Sequence, residues 1–540
     1  MGGVRVTKPS LSQNPKMTSV VNTFTDPGEE NADEFRNILQ QERHQTSYGS
    51  VQTTTIRGRE RIWSTCVSTL VASVPALLIG YTIVFPSSAL LVLMGDWREG
   101  HLPSKAYLFN TELADVFGAL APLGALLGGP VGGWISDHWG RKCGLMFCGV
   151  PYLIGYLMLS YAHYSSTATA FKTLLLIGRF FSGFGMGWAS STASIYIGEI
   201  SSSRLRGLFG TIMQLFITLG VFVGYGLSAF LPYYHISLAA AVIITGFFPL
   251  GLWLKETPRW LLANRQAQPA FFALKWLRGP HYDIGSELET MKLSLTENHE
   301  SGVWREFKRK SVLVPFVTLL LVFFFQQIGG LNAQAAYATV IFRDAGVNHP
   351  QLASAMCGGV SGLVGNVIAG VLVDKMGRKP LLFVSGIGMG IGSTLLGVHF
   401  YITRPSLCSG SGMEFSGVGA GDDTSCNGQY GPLAIVSLIT YNFLFGIGWA
   451  SVPWVLLPEL LPLKVRGIGG GFAVLVNWTT SALVTGTYLS YVKAVTVWFG
   501  WWSFGLLNFM SVAFAAFALV ETKGKSLESI QAAFEKKWSM

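Results

Sequence analysis

Five amides and one indole stand in this chain where polar side chains are costly. Gln214, Gln326, Gln327, Asn332 and Asn477 each interrupt a long apolar run, and Trp454 follows Pro453 in another. An amide both donates and accepts, so it can hold an uncharged ligand rich in hydrogen-bonding groups. It can equally bond a neighbouring helix, and the residues alone leave both readings open. The indole offers a flat apolar plate or a packed core side chain. Gln326 and Gln327 are neighbours and diverge by about 100° on a helix. Only a broken or tilted helix brings both to one ligand, and Gly329-Gly330 can supply the break. The sequence carries no recognisable nucleophile–base set, metal-ligand cluster or phosphate loop. Neither an enzyme, a metal nor a cofactor is expected.

A second set of residues is charged and occurs twice. Gly132-Gly133-Trp134-Ile135-Ser136-Asp137-His138-Trp139-Gly140-Arg141-Lys142 is echoed by Ala369-Gly370-Val371-Leu372-Val373-Asp374-Lys375-Met376-Gly377-Arg378-Lys379. Glu199 leads to Arg206-Gly207, and Glu459 leads to Arg466-Gly467 with the same spacing. Glu256-Thr257 with Arg259 in one half is matched by Glu521-Thr522 in the other. Such echoes point to duplication. Acids here can face helix N-termini, and bases can pair with acids across the seam between the halves. One exposed pair contributes roughly 0–1 kcal/mol, but several made in one state and broken in another can total a few kcal/mol and set the balance between states. Asp137, Arg141, Glu199, Arg206, Glu256, Arg259, Asp374, Arg378, Glu459 and Arg466 are therefore gating candidates. Lys142, Lys375 and Lys379 read as solvated topology signals.

The elements that must position these residues are membrane spans. Half of the chain is hydrophobic and 12% is charged. A crossing helix needs about 20 apolar residues, and continuous runs of that order lie at about 64–94, 112–136, 143–162, 170–198, 208–232, 236–254, 312–342, 350–373, 380–402, 431–457, 467–492 and 496–520. The reading is an all-α membrane protein of about twelve helices in two homologous halves; a barrel would alternate instead. Bases crowd the loops on one side (Arg57, Arg141, Lys142, Arg204, Arg206, Lys375, Arg378, Lys464), which places both termini and residues 255–310 in the cytosol. That bias accounts for the net charge of +9, so nucleic acid is not an expected partner. The domains are residues 1–60, a polar disordered tail; 61–254, a first bundle; 255–311, a cytosolic helical linker; 312–522, a second bundle; and 523–540, a second tail. No cleavable signal peptide is expected. Glu34 to Leu39 resembles an acidic dileucine sorting signal and Tyr48 to Val51 a tyrosine-based one, so sorting adaptors are candidate partners beside the lipid bilayer. Cys408 and Cys426 share a Gly/Ser-rich outer loop where oxidation is permitted. The expectation is a disulfide, the alternative two free thiols.

Three motifs together identify a family. Gln326-Gln327-Ile328-Gly329-Gly330-Leu331-Asn332, Glu256-Thr257-Pro258-Arg259-Trp260 and Gly178-Arg179 make residues from about 60 to 530 resemble the sugar porters of the major facilitator superfamily, which include the facilitative glucose transporters. The placement of the long outer loop resembles the intracellular-type glucose transporters and the insect trehalose transporters. The resemblance implies the major facilitator fold: two six-helix bundles around a central cavity, with cytosolic helices between them. It also implies alternating access for a sugar, a hexose first, by a carrier that works as a monomer in the plasma membrane or an endosomal or lysosomal membrane. Gln214, Gln326, Gln327, Asn332, Trp454 and Asn477 become the expected sugar contacts.

The departures from the family matter as much. Proton-linked relatives carry an acid after the Gly-Tyr of the first span, and here the residue is Thr82. Arg179, an intramembrane charge, is then expected to bond backbone carbonyls, and facilitated diffusion is favoured. Proton-coupled symport of a sugar or polyol, or a sugar-binding sensor, are the alternatives. Glu112 and Asp115 read as interfacial. Gly329, Ala335, Ala336 and Gly446 replace larger or polar residues of many relatives, which weakens any claim to one particular hexose.

Overall fold

In lipid a backbone must satisfy its own hydrogen bonds, and a continuously apolar run does so as a helix. The computed structural model describes residues 61–95, 108–202, 205–280, 282–296, 307–404, 427–523, 529–530 and 533–534, and every regular element among them is helical. The two tail motifs, Cys408 and Cys426 lie outside the described residues.

The first half comprises α1 (Ile62–Leu93), α2 (Thr111–Trp139), α3 (Arg141–Tyr164), α4 (Ala168–Ile200), α5 (Arg206–Ser228) and α6 (Tyr233–Trp253). Three short helices follow, α7 (Pro258–Ala263), α8 (Ala267–Arg278) and α9 (Ile284–Thr296). The second half comprises α10 (Lys310–Ile328) and α11 (Leu331–Asp344), which form one broken span, then α12 (Pro350–Val373) and α13 (Arg378–Ile402). After these come α14 (Asn427–Ile447) and α15 (Val452–Leu460), again one broken span, and finally α16 (Leu463–Val495) and α17 (Val497–Phe517).

Eleven spans among the described residues are long and apolar enough to cross a membrane. The expected twelfth, α4, is 33 residues long but less apolar, because it carries Arg179 and a series of Gly, Ser and Thr. Those small residues are sheltered. Gly183 and Gly187 lie against the α2 backbone at Ala121 and Ala125, and Ser182 and Thr192 are buried. A helix enclosed by other helices gains by close approach rather than by apolar bulk.

The halves meet through three helix pairs: α1 with α11, α2 with α16, and α5 with α12. Duplication explains this set. Exchanging each span for its counterpart six later maps the first pair onto itself and swaps the other two. Gly140 and Gly377, at equivalent turns, have φ of 106° and 97°; L side chains rarely adopt this region, which is why both copies of the motif keep glycine. The short helices belong to the first half. Arg278 is buried at the end of α8, donates to Ile200 O at 2.8 Å and pairs with Glu287 at 2.9 Å, while its own carbonyl accepts from Arg61 N at 2.8 Å.

Candidate functional site

The amides of α10, α11 and α16 converge on the break between α10 and α11. Gly330 adopts the left-handed conformation with φ of 91°, which ends α10 and restarts the chain as α11. Gln327 Nε2 donates to Asn477 Oδ1 at 2.7 Å, and Asn332 Nδ2 donates to Gln327 Oε1 at 2.8 Å and to Ser481 Oγ at 2.6 Å. All four side chains are buried. Gln326, one residue earlier, turns away as its helical angle requires, and donates to Trp449 O at 2.7 Å. Its Oε1 is buried without a hydrogen-bond partner. The break thus serves Gln327 and Asn332 together, while Gln326 anchors α10 to the α14–α15 corner.

Trp454 is half-buried on α15 and meets Phe323 edge to face, with centroids 5.0 Å apart. Gln214 is half-buried on α5, on the face that carries Thr211 and Thr218 toward α12. That face is fixed by Asn366 Nδ2 donating to Thr218 Oγ1 at 2.8 Å and by Gly370 lying against Thr211. A small cavity beside the amides, with room for on the order of one water, is lined by Pro122, Arg179, Met186, Asn332, Ala336 and Thr485.

Arg179 is buried and donates to two carbonyls, Thr82 O at 2.8 Å and Phe117 O at 3.4 Å. Its guanidinium also lies over the rings of Phe85 and Phe117, at 5.7 and 5.4 Å, an arrangement that favours a desolvated cation. Thr82 bonds Tyr156 and its own helix instead.

Asp115 is not interfacial. It is 3% exposed and bridges the halves: Oδ1 accepts from Leu489 N at 2.9 Å, and Oδ2 from Ser490 N at 2.8 Å and from Ser490 Oγ. Tyr337 OH joins from α11 at 3.4 Å and donates to Thr485 O at 2.9 Å. Close by, Ser87 bonds Thr339, and Tyr225 OH donates to Ala335 O at 2.6 Å. These cross-half bonds gather at the end of the bundle opposite the charged turns.

At the charged end the bonds among the described residues run inside each half. Arg141 pairs with Glu199 at 3.1 Å and with Asp137 at 2.6 Å, and Thr257 Oγ1 donates to Glu199 at 2.6 Å. Arg378 pairs with Glu459 at 2.8 Å, to which Thr522 Oγ1 donates at 2.7 Å. The expectation that bases pair across the seam therefore fails for Arg141 and Arg378. Their acids sit on α4 and α15, the elements their own repeats carry beside them. Glu256 accepts from the backbone N–H groups of Arg141, Lys142 and Thr257, capping α3. Glu521 caps α13 in the same way through Arg378, Lys379 and Thr522. Burial raises the Glu256 carboxyl above its ordinary value despite these donors. For Glu521 burial also pushes upward, but it is outweighed by four backbone N–H donors, which hold that carboxyl below its ordinary value.

Lys142 and Lys379 are more than solvated signals. Their Nζ atoms donate to Leu252 O at 2.7 Å and Ala516 O at 2.6 Å, where each basic group meets the negative end of a neighbouring helix. Arg466 donates to the Pro458 and Leu461 carbonyls, and Arg259 is half-buried at the start of α7. The side chains of Arg206 and Asp374 lie outside the described residues. Ser481, Tyr441 and Asn508 were missed by sequence reasoning. Ser481 stands four residues after Asn477 on one helical face, and Asn508 is an amide in an apolar run, the signal used for the others.

The profile of the family described as "Sugar (and other) transporter" matches residues 68–534. The bovine "Solute carrier family 2, facilitated glucose transporter member 8" is 31% identical over 426 residues, covering 79% of this chain and 86% of that protein. "Facilitated trehalose transporter Tret1" of Aedes aegypti is 29% identical over 473 residues, covering 87% of this chain. The chain spans 55% of that relative's length. Among solved structures, a partially occluded inward-open form of the xylose transporter XylE from E. coli superposes with a TM-score of 0.70 at 24% identity. It covers 86% of this chain and 100% of that one, and shows the same fold.

Proposed function

The chain belongs to the sugar transporter family, and from that premise we propose that it carries a hexose across a membrane by alternating access and facilitated diffusion. The observation that carries this reading is the hydrogen-bonded chain Asn477–Gln327–Asn332–Ser481 at the broken span. A sugar presents hydroxyls that donate and accept, and amides can exchange their mutual bonds for bonds to it. When no sugar is bound, the same amides satisfy one another. The empty carrier can then reorient without leaving these linked amides unpaired, which would cost about 1–3 kcal/mol each. Return of the empty carrier is the step a uniporter needs. Gln214, on the seam of the first half, supplies an opposing amide, and Trp454 supplies the apolar plate.

In this reading the charged turns face the cytosol, the Asp115 cluster closes the outer side, and the conformation is inward-facing. The carrier acts as a monomer in the plasma membrane or an endosomal or lysosomal membrane, with sorting adaptors reading its tail. Uptake of radiolabelled glucose and trehalose into proteoliposomes tests the proposal. Sugar should equilibrate and never exceed the outside concentration at any imposed proton gradient. Proton-driven accumulation favours the second reading, symport, for which Asp115 is the buried carboxylate at hand.

A further inference from the structure

Asn508 stands on α17, away from the spans that carry the other amides, and is 1% exposed. Its Nδ2 donates to Gly329 O at 3.2 Å, to Phe504 O at 2.9 Å and to Ser393 Oγ at 3.4 Å. Tyr441 OH, from α14, donates to the same Gly329 carbonyl at 3.0 Å. That carbonyl closes α10 at the break, between Gln327 and Asn332, where an interrupted helix leaves acceptors for side chains to satisfy.

The other face of the amide explains the glycine. Asn508 Oδ1 is buried without a hydrogen-bond partner and points at the bare Cα of Gly329, where a Cβ would overlap it. Gly329 has φ of −65° and ψ of −2°, a conformation any residue adopts. Its missing side chain is therefore required by Asn508 rather than by the backbone. Gly330 is glycine for its left-handed φ; Gly329 is glycine for its neighbour.

We infer that Asn508 is a positioning residue for sugar binding. With Tyr441 it clamps the Gly329 carbonyl and so fixes the angle between α10 and α11, on which the meeting of Gln327 and Asn332 depends. This rests on the assignment of the sugar site to those two amides.

The test is a cycle of Asn508→Ala, Gly329→Ala and the double variant, with Gln327→Ala beside them, assayed in proteoliposomes for KM and for the maximal rate per folded carrier. Asn508→Ala should raise KM about tenfold, as expected for one lost buried bond, with the rate per carrier within about twofold. Gly329→Ala should raise KM on its own but add nothing in the Asn508→Ala background, because the overlapping oxygen is already gone. Asn508→Leu, which keeps a similar shape but cannot donate to the carbonyl, should behave as Asn508→Ala and covers the case in which the smaller residue fails to fold. An unchanged KM in the Asn508 variants, with Gln327→Ala impaired, overturns the positioning role alone. An equal penalty for Gly329→Ala in both backgrounds also overturns it. A normal KM in Gln327→Ala removes the sugar-site assignment itself, and this inference with it.

Discussion

Asn332 and Gln327 have the most to lose, because each makes two bonds: Asn332 Nδ2 serves Gln327 and Ser481, and Gln327 donates to Asn477 while accepting from Asn332. Asn332→Ala and Gln327→Ala should each raise KM about tenfold or more, from hydrogen bonds worth roughly 1–3 kcal/mol. Protein yield should stay near normal, since the bonds lost in the empty carrier are few. Ser481→Ala should have the smaller effect, one partner of Asn332 being kept. Equilibrium sugar binding to purified carrier separates these cases; affinities in the Asn332 and Gln327 variants equal to that of the unmutated carrier reject the site. Gln327, Asn332 and Asn477 were legible in the sequence because an amide in an apolar run needs a reason. Asn508 carries the same sign, but nothing in a linear sequence says that α17 reaches the break. Asp115 departs from its interfacial expectation for a related reason. Its position near a span end suggests solvent, and only the pairing of α2 with α16 turns it inward.

At the scale of the elements, the charged turns emerge as caps and clamps within each half. Arg141 and Arg378 pair with acids of their own halves, and Glu256 and Glu521 cap the helices that follow. The duplication is readable in the sequence, and so is the clustering of Asp137, Arg141, Glu199 and Glu256 in one half and of Arg378, Glu459 and Glu521 in the other. The pairing direction was not, because spacing gives which residues lie at one end but not which neighbour each reaches. The two caps should answer acid oppositely. The Glu521 carboxyl is held below its ordinary value, so its stabilisation is fully present above the unfolded-state value of about 4.3 and is lost as pH falls through the lower folded value. Glu256 is raised, so the folded state holds its proton more tightly and loses that advantage as pH rises through the raised value. Glu521→Gln should therefore lower thermal stability at neutral pH, by about 1 kcal/mol, and the deficit should shrink as pH falls below about 4. Glu256→Gln should show no such convergence on acidification. Thermal unfolding of both variants in detergent across pH reads this directly, and parallel curves would remove the distinction.

At the scale of the whole molecule, the cross-half bonds among the described residues gather mostly at one end, with Asn366–Thr218 lying apart from them. Asp115 takes three donors from Leu489 and Ser490 on α16, and the Tyr337 hydroxyl of α11, which donates to Thr485 O, lies 3.4 Å from it. A carboxylate accepts all three; an amide in its place turns two N–H groups toward the donors of one side. Asp115→Asn should consequently weaken the closure while leaving the amides around Gln327 in place, since none of them bonds Asp115. Hydrogen bonds to a charged group are worth about 1.5–3 kcal/mol, so losing one should shift the equilibrium between the two facing states about tenfold or more. A cysteine introduced at Ala336, beside the cavity, should then react faster with a membrane-impermeant thiol reagent added from the side of this cluster. Affinity for sugar added from that side should improve, because less binding energy is spent on opening the carrier. Tyr337→Phe removes the bond to Thr485 O and the hydroxyl 3.4 Å from the carboxylate but keeps the three α16 donors to Asp115, and should give a smaller change in the same direction. Unchanged labelling in Asp115→Asn would mean that apolar packing of α1 on α11 and α2 on α16 holds this end closed, with the carboxylate serving only to satisfy the α16 backbone.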